Sequence, residues 1–154
     1  MMKKYCVISG FNDEWKSFES TAACDRIFCE TVQMFYNAGK EKGVKLYTAM
    51  NKGLETLLAE SFLLLKNSIY AELECVVPYE EQAAEWTEEE RNRYYNILEN
   101  CDKEKLISKK ENKNSLRESY EYMIESCDVI IVGENLNSEI TELITASGKQ
   151  IVKI

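Results

Sequence analysis

The stretch Asp128-Val129-Ile130-Ile131-Val132-Gly133, read as DVIIVG, decides the fold class. Four consecutive β-branched residues between an aspartate and a glycine are typical of a strand whose two faces are both buried. Strands of this kind occur in parallel sheets, because crossover helices cover both faces of such a sheet. The rest of the chain should therefore supply helices and further short strands.

Strand and helix patterns alternate along the whole chain. Besides 128–133, strands are predicted at residues 3–9, 44–49, 71–77, 104–108 and 149–154. A loop from Phe11 to Glu19 precedes the first helix, and helices are predicted at 20–39, at 54–65, from Thr87, from Ser115 and at 138–146. This alternation predicts an α/β three-layer sandwich with a mostly parallel sheet of five to six strands.

Two helix starts carry capping-box patterns. Thr87 to Glu90 has the form T-x-x-E, and Ser115 to Glu118 has the form S-x-x-E. In each box we expect the hydroxyl residue to be the N-cap of the helix that follows.

Composition predicts one soluble domain over residues 1–154. The chain has 154 residues, of which 45% are hydrophobic and 30% are charged, enough apolar material for a single core. The longest purely apolar run, Phe62 to Leu65, is far shorter than the roughly 20 residues that span a bilayer. The N-terminus lacks a signal-peptide pattern. We therefore expect a cytoplasmic protein without membrane contact.

The cysteines and the absence of histidine narrow the chemistry. Six cysteines are scattered without a C-x-x-C pair, which favours reduced, structural thiols. The chain contains no histidine, and this excludes Ser/His and Cys/His nucleophile systems and the usual zinc sites. A carboxylate is then the best candidate for a general acid or base. No metal site is predicted, and the cofactor, if any, stays unknown.

The charge pattern bears on partners. Formal net charge is −8 and no segment concentrates Lys and Arg, so binding to duplex nucleic acid is not expected. A small ligand or a basic protein surface is a better partner, and a homo-oligomer stays open. The glutamates between Glu80 and Glu90 are most simply a solvated face, with contact to a basic partner as the alternative.

The turn between the second strand and its helix is a candidate ligand site. In the segment TAMNKGLETLLAE, Thr48 to Glu60, a glycine precedes a helix N-terminus, where free N–H groups and the helix dipole favour anions. Asn51, Lys52 and Gly53 form the turn, and Glu55 lies in the first helical turn. An ordinary βα turn with a dipole-stabilised carboxylate is the simpler alternative, since neither GxxxxGK[ST] nor GxGxxG is present.

A second candidate follows the third strand, in the segment CVVPYEEQAAEW, Cys75 to Trp86. Pro78 and Tyr79 end the apolar run, and Pro78 suits a strand end without any function. Gln82 and Trp86 are four residues apart and could share one helical face, giving an amide and an aromatic plate suited to a nucleobase. Packing of Trp86 over the core beside Tyr94 is the alternative.

The segments GLETLLAE, VVPYEEQAAEW, RNRYYNIL and YMIESCDVIIV together resemble the YpsA/YoqJ-type branch of the SLOG superfamily, a Rossmann-like group that includes Smf/DprA and LOG proteins. The residues that match this pattern, in order, are Gly53, Glu55, Ala59, Glu60, Pro78, Gln82, Trp86, Tyr94, Met123 and Asp128. The resemblance implies a Rossmann-like fold and a pocket for nucleotides or nucleotide-derived ligands at the strand ends. It does not imply LOG-type phosphoribohydrolase activity, because the Pro-Gly-Gly-x-Gly-Thr-x-x-Glu motif is absent.

The sequence departs from this branch at three places. Met50 stands where relatives often have glycine, and Ser9-Gly10-Phe11-Asn12 replaces an early Thr-Gly-His-Arg-like segment. Ser119-Tyr120 replaces an Arg-Asn pair. Loss of a glycine and a cation at phosphate contacts weakens the nucleotide prediction, while the fold prediction is unaffected.

All of these candidate residues are predicted to lie at the carboxyl edge of the sheet, where ligands of open α/β sheets bind. Phosphate or ribose would meet Ser9, Gly10, Asn51, Lys52 and Gly53, and the base would meet Pro78, Tyr79, Gln82 and Trp86. Glu55 would face a ribose or a scissile bond. The alternatives are an N-glycosidic or phosphoester hydrolase that uses Glu55, and a non-catalytic acidic interaction module with a degenerate pocket.

Overall fold

The computed structural model describes residues 1–10, 22–134 and 136–154. Within these ranges six strands form one parallel sheet in the order β4-β3-β2-β1-β5-β6. The strands are β1 (Lys3–Ile8), β2 (Val44–Thr48), β3 (Ala71–Tyr79), β4 (Lys103–Ser108), β5 (Val129–Val132) and β6 (Gln150–Lys153). The helices are α1 (Ala22–Gly39), α2 (Leu54–Leu63), α3 (Glu88–Asn100), α4 (Ser115–Ser126) and α5 (Ser138–Ser147). The predicted α/β class and the parallel sheet are confirmed. The predicted loop from Phe11 to Glu19 and the predicted helix start at residue 20 lie outside the described residues.

Both faces of the central strands are buried, as DVIIVG indicates. Ile131 in β5 belongs to a buried cluster that includes residues of α1, α2 and α3, whereas its neighbour Ile130 belongs to a second cluster that includes residues of α4 and α5. The same alternation in β1 places Val7 in the cluster of Ile131 and Cys6 in the cluster of Ile130. Three layers result because successive side chains of a strand point to opposite faces.

The connection from β4 to β5 creates a switch point beside β1. The chain adds β2, β3 and β4 on one side of β1, and α4 then carries it to β5 on the other side. Tyr5 to Val7 of β1 therefore lie between two strands that lead to helices in different layers. Open α/β sheets bind ligands outside the carboxyl ends of strands at such a point.

None of the helices in the described ranges combines the length and the apolar character that a bilayer-spanning segment needs.

The third strand is longer than predicted and includes Pro78 and Tyr79. Its pairing with β2 ends at Cys75, while its pairing with β4 continues to Tyr79. Pro78 thus lies where the strand has a neighbour on one side only, which is a position that tolerates the missing N–H.

One of the two predicted capping boxes forms. The Thr87 side chain accepts a hydrogen bond from the backbone N–H of Glu90, as the T-x-x-E pattern predicts. The prediction for Ser115 is wrong, because Asn114 is the N-cap and Ser115 is already helical. The Ser115 hydroxyl instead donates to the carbonyl of Asn112.

The turn between β2 and α2 holds a methionine in a backbone conformation that favours glycine. Met50 has a φ of 62°, the one positive value among non-glycine residues in the described ranges. Its side chain is nevertheless fully buried, and its N–H donates to the Thr48 hydroxyl. The left-handed conformation costs an L-residue about 1–2 kcal/mol. Core packing of the Met50 side chain offsets this cost.

We predict that Met50→Gly is more stable than Met50→Ala by about 1 kcal/mol, because only glycine relieves the left-handed strain. Both variants should be less stable than the unmodified chain by about 2–5 kcal/mol, the usual loss for a buried methionine. Urea denaturation measures both differences. As a control, Ala49→Gly, which is adjacent and lacks a positive φ, should lose stability. An alanine variant of Met50 that is more stable than the glycine variant would contradict this account.

Candidate functional site

Most of the residues predicted for the site lie at the carboxyl edge of the sheet. Ser9 and Gly10 follow β1, and residues 51–53 join β2 to α2. Pro78 and Tyr79 close β3, and Gln82 and Trp86 lie in the segment that follows it. The edge brings these groups together because all six strands in the described ranges run in the same direction.

A buried carboxylate lies at the centre of this edge. The Glu55 side chain is fully buried, and its Oε2 atom accepts hydrogen bonds from the Ser9 N–H at 3.2 Å and from the Ser9 hydroxyl. The Tyr120 hydroxyl donates to the same oxygen at 2.7 Å. Glu55 belongs to α2 and Tyr120 to α4, so this bond links the two helical layers past the end of β1.

The second carboxylate oxygen of Glu55, Oε1, differs from Oε2 in its hydrogen bonding. Oε1 is buried and makes no hydrogen bond with good geometry to any of the described residues. The Asn51 N–H lies close enough to lower the pKa of the carboxyl group without completing such a bond. A buried acceptor without a donor is uncommon in folded proteins and calls for an explanation.

Burial dominates the ionisation of this cluster. It raises the pKa of Glu55 above its ordinary value, and the hydrogen bonds from Ser9 and Tyr120 offset only part of that effect. Burial also raises the pKa of Tyr120 well above its ordinary value, with the Glu55 charge as the next cause. Tyr120 therefore keeps its proton and acts as the donor.

The first and second strand ends are tied to each other. The Asn51 side chain donates to the Gly10 carbonyl at 2.5 Å, and Gly10 has a φ of 69°. Gly133 after β5 completes this crowded region, since a Cβ atom there would lie 3.0 Å from Leu54 in α2. A larger residue at position 133 would push against the start of that helix.

Lys52 is paired at the rim of the edge. Its Nζ atom lies 2.9 Å from the Glu90 carboxylate and 5.7 Å from the centre of the Trp86 ring. The contact with Lys52 is the main cause that lowers the pKa of Glu90, so this carboxylate is charged near neutral pH. The positive charge of Lys52, which the sequence predicts to face an anion, is thus paired with the Glu90 carboxylate.

The four-residue spacing of Gln82 and Trp86 suggests a shared helical face, but the structure shows that they do not share one. Residues 80–86 form turns, and α3 begins only at Glu88. Tyr94 brings the two together instead, because its hydroxyl donates to Gln82 at 3.0 Å and its ring packs edge-on against Trp86. The Gln82 amide also donates to the Ala49 carbonyl at 3.0 Å. Both ends of this amide are therefore occupied, while Trp86 is partly buried against the core.

The structure adds residues that were not among the predicted site residues. Tyr120 was interpreted only as part of an apolar stripe, although a buried tyrosine hydroxyl usually requires a polar partner. A groove of about 750 Å³ also lies beside the switch point, within the usual range for ligand pockets. Its lining includes Gly133, Glu134, Leu136, Thr141, Thr145 and Lys153.

We predict that removal of the Glu55 charge changes how stability depends on pH. Between the ordinary value near 4.5 and the raised folded pKa, the folded chain binds more protons at Glu55 than the unfolded chain. The contribution of Glu55 to stability is therefore fully present below pH 4.5 and lost as the pH rises through the folded pKa.

The measurement is the free energy of unfolding of the unmodified chain minus that of Glu55→Gln, from urea denaturation between about pH 4 and about pH 8. This difference should fall as the pH rises, because all other titrating groups cancel. A difference that increases with pH would show that the pKa of Glu55 is lowered instead.

Comparison with known proteins identifies the family. The family model described as the YspA SLOG family matches residues 17–144. The UPF0398 protein BH1768 of Halalkalibacterium halodurans is 31% identical over 96 residues, which are 60% of this chain and 51% of that protein. The chain thus spans about half the length of this relative. The family match covers well over half of the chain and confirms the resemblance read from the motifs: the chain belongs to the YpsA family of SLOG proteins.

Proposed function

We propose that this chain binds a nucleotide or a nucleotide-derived ligand at the carboxyl edge of its sheet, over the switch point between β1 and β5. The observation that carries the proposal is the Oε1 atom of Glu55, which is buried at that point and makes no hydrogen bond of good geometry to the residues that the structure describes. Membership of the SLOG family, with its nucleotide-related binding fold, supports the same ligand class.

A ribose hydroxyl is the ligand group that suits this acceptor. Three donors, two from Ser9 and one from Tyr120, hold Oε2 in place, so Oε1 has a defined direction. A hydroxyl that donates to Oε1 would supply the missing hydrogen bond, and bonds to charged acceptors are among the strong ones. Because Oε1 is enclosed, this contact requires a local opening of the edge.

In this proposal Trp86 contacts the base, whereas Gln82 has a positioning role. Trp86 is only partly buried and offers an aromatic ring against which a base could stack. Gln82 and Tyr94 hold Trp86 and the β2 end in position, and direct recognition by Gln82 would require its bond to Ala49 or to Tyr94 to break. The groove that begins at Gly133 provides room for the rest of a ligand beside Ser9.

We predict that a panel of nucleosides, nucleotides and ADP-ribose contains at least one ligand, detected by a thermal shift and measured by calorimetry. Glu55→Gln should weaken that ligand at least about tenfold, the scale of one lost hydrogen bond to a charged group. The reason is geometric: the amide oxygen of the new side chain replaces Oε2 among its three donors, and its NH₂ group replaces the Oε1 acceptor.

Glu60→Gln is the matched control. Glu60 lies in the same helix but pairs with Arg93 on its outer side, so its loss should leave the affinity within about twofold. An unmodified chain that binds no member of the panel would overturn the proposal. Binding that is unchanged in Glu55→Ala combined with Gln82→Ala would overturn the assignment of the site.

A hydrolase is the second candidate, and the raised pKa of Glu55 favours it. A carboxyl group that keeps its proton closer to neutral pH can serve as a general acid for an N-glycosidic or phosphoester bond. This function predicts products from the ligands of the panel, separated by chromatography. Turnover should vanish in Glu55→Gln while the thermal unfolding midpoint is retained. If the bound ligands stay intact, the hydrolase function is wrong and ligand binding remains as the function.

A further inference from the structure

A cation of the proposed site, Lys52, is paired with a carboxylate of the protein, Glu90. Lys52 is the cation of the turn between β2 and α2, Asn51 to Gly53, which the proposal places against the ligand. Its partner Glu90 has Oε2 at 2.9 Å from Lys52 as an ion pair, and its Oε1 atom accepts a hydrogen bond from the Thr87 hydroxyl at 2.9 Å. The Glu90 side chain is 16% exposed, so the pair is only partly screened by solvent.

The backbone of the same turn is also engaged. Turns that hold phosphate at a helix N-terminus do so with unpaired N–H groups. Here the Met50 N–H donates to the Thr48 hydroxyl and the Gly53 N–H donates to the Thr56 hydroxyl, each at 3.2 Å. The Asn51 N–H faces the Glu55 carboxylate. Three N–H groups of this turn thus face internal acceptors, and its cation is paired with a carboxylate.

We infer that the Lys52–Glu90 pair makes the proposed site selective for nucleosides over their phosphorylated forms, with Glu90 as the specificity-determining residue. This inference rests on the proposed function. A phosphate near the turn must either displace Glu90 from Lys52 or lie beside the intact pair. Either arrangement brings the phosphate charge close to the Glu90 carboxylate. A nucleoside brings a ribose and a base without this repulsion.

The test compares Glu90→Gln with the unmodified chain by calorimetry, without divalent cations and at fixed ionic strength. The ligands are adenosine, AMP and ATP, and guanosine, GMP and GTP. In the unmodified chain each nucleoside should bind more tightly than its triphosphate. In Glu90→Gln the nucleotides should gain about fivefold in affinity, the upper range for a partly exposed charge pair, while the nucleosides stay within about twofold.

Two further variants isolate the mechanism. Glu89→Gln removes the same charge from the same helical turn at an exposed position, so it should give no comparable gain. Glu90→Gln combined with Lys52→Met should lose the gain, because the released cation is gone. Glutamine keeps an acceptor for Thr87, and an unchanged thermal midpoint would show that the start of α3 is intact.

The outcomes separate the two proposals. If a triphosphate binds the unmodified chain more tightly than its nucleoside, or if Glu89→Gln and Glu90→Gln give equal gains, the selectivity is wrong and ligand binding stands. If Glu90→Gln gives no gain for any nucleotide, the role of Glu90 is wrong. If no nucleoside or nucleotide binds any variant, the proposed function and this inference both fall.

Discussion

The carboxyl edge of this sheet is organised around one buried carboxylate. Glu55 lies at the start of α2, accepts two hydrogen bonds from Ser9 at the end of the central strand and a third from Tyr120 in α4. A carboxylate without solvent loses several kcal/mol of hydration, so it persists in a folded chain only where donors compensate. That constraint fixes the end of β1 against both helical layers at the point where α/β sheets bind ligands.

The same constraint explains why the phosphate side of the edge differs from the family pattern. The N–H groups of Ser9 and Asn51 face an internal anion, Glu55, and Lys52 faces a second one, Glu90. Met50 adopts a left-handed conformation that favours glycine, and it stabilises the turn with buried apolar surface. Several donors of this edge are thus engaged within the protein.

Local sequence was sufficient for the fold, because β-branched runs, helical spacing and glycine stops act over a few residues. It also placed Glu55, Gln82 and Trp86 at one edge, since the parallel strands decide that position. It could not show that both ends of the Gln82 amide are bonded, nor that Tyr120 meets Glu55 across 65 positions of sequence. Ser115 failed as an N-cap because a shift of one residue decides between a cap and a helical position.

The bond between Glu55 and Tyr120 is tested most directly by a double-mutant cycle on the free energy of unfolding. The cycle compares the unmodified chain with Tyr120→Phe, Glu55→Met and the double variant, because methionine resembles glutamate in size but offers no carboxylate. If the bond joins the layers, Tyr120→Phe should cost about 1.5–3 kcal/mol more when Glu55 is present than when it is replaced. Equal costs in both backgrounds, within about 0.5 kcal/mol, would contradict the central role of this carboxylate.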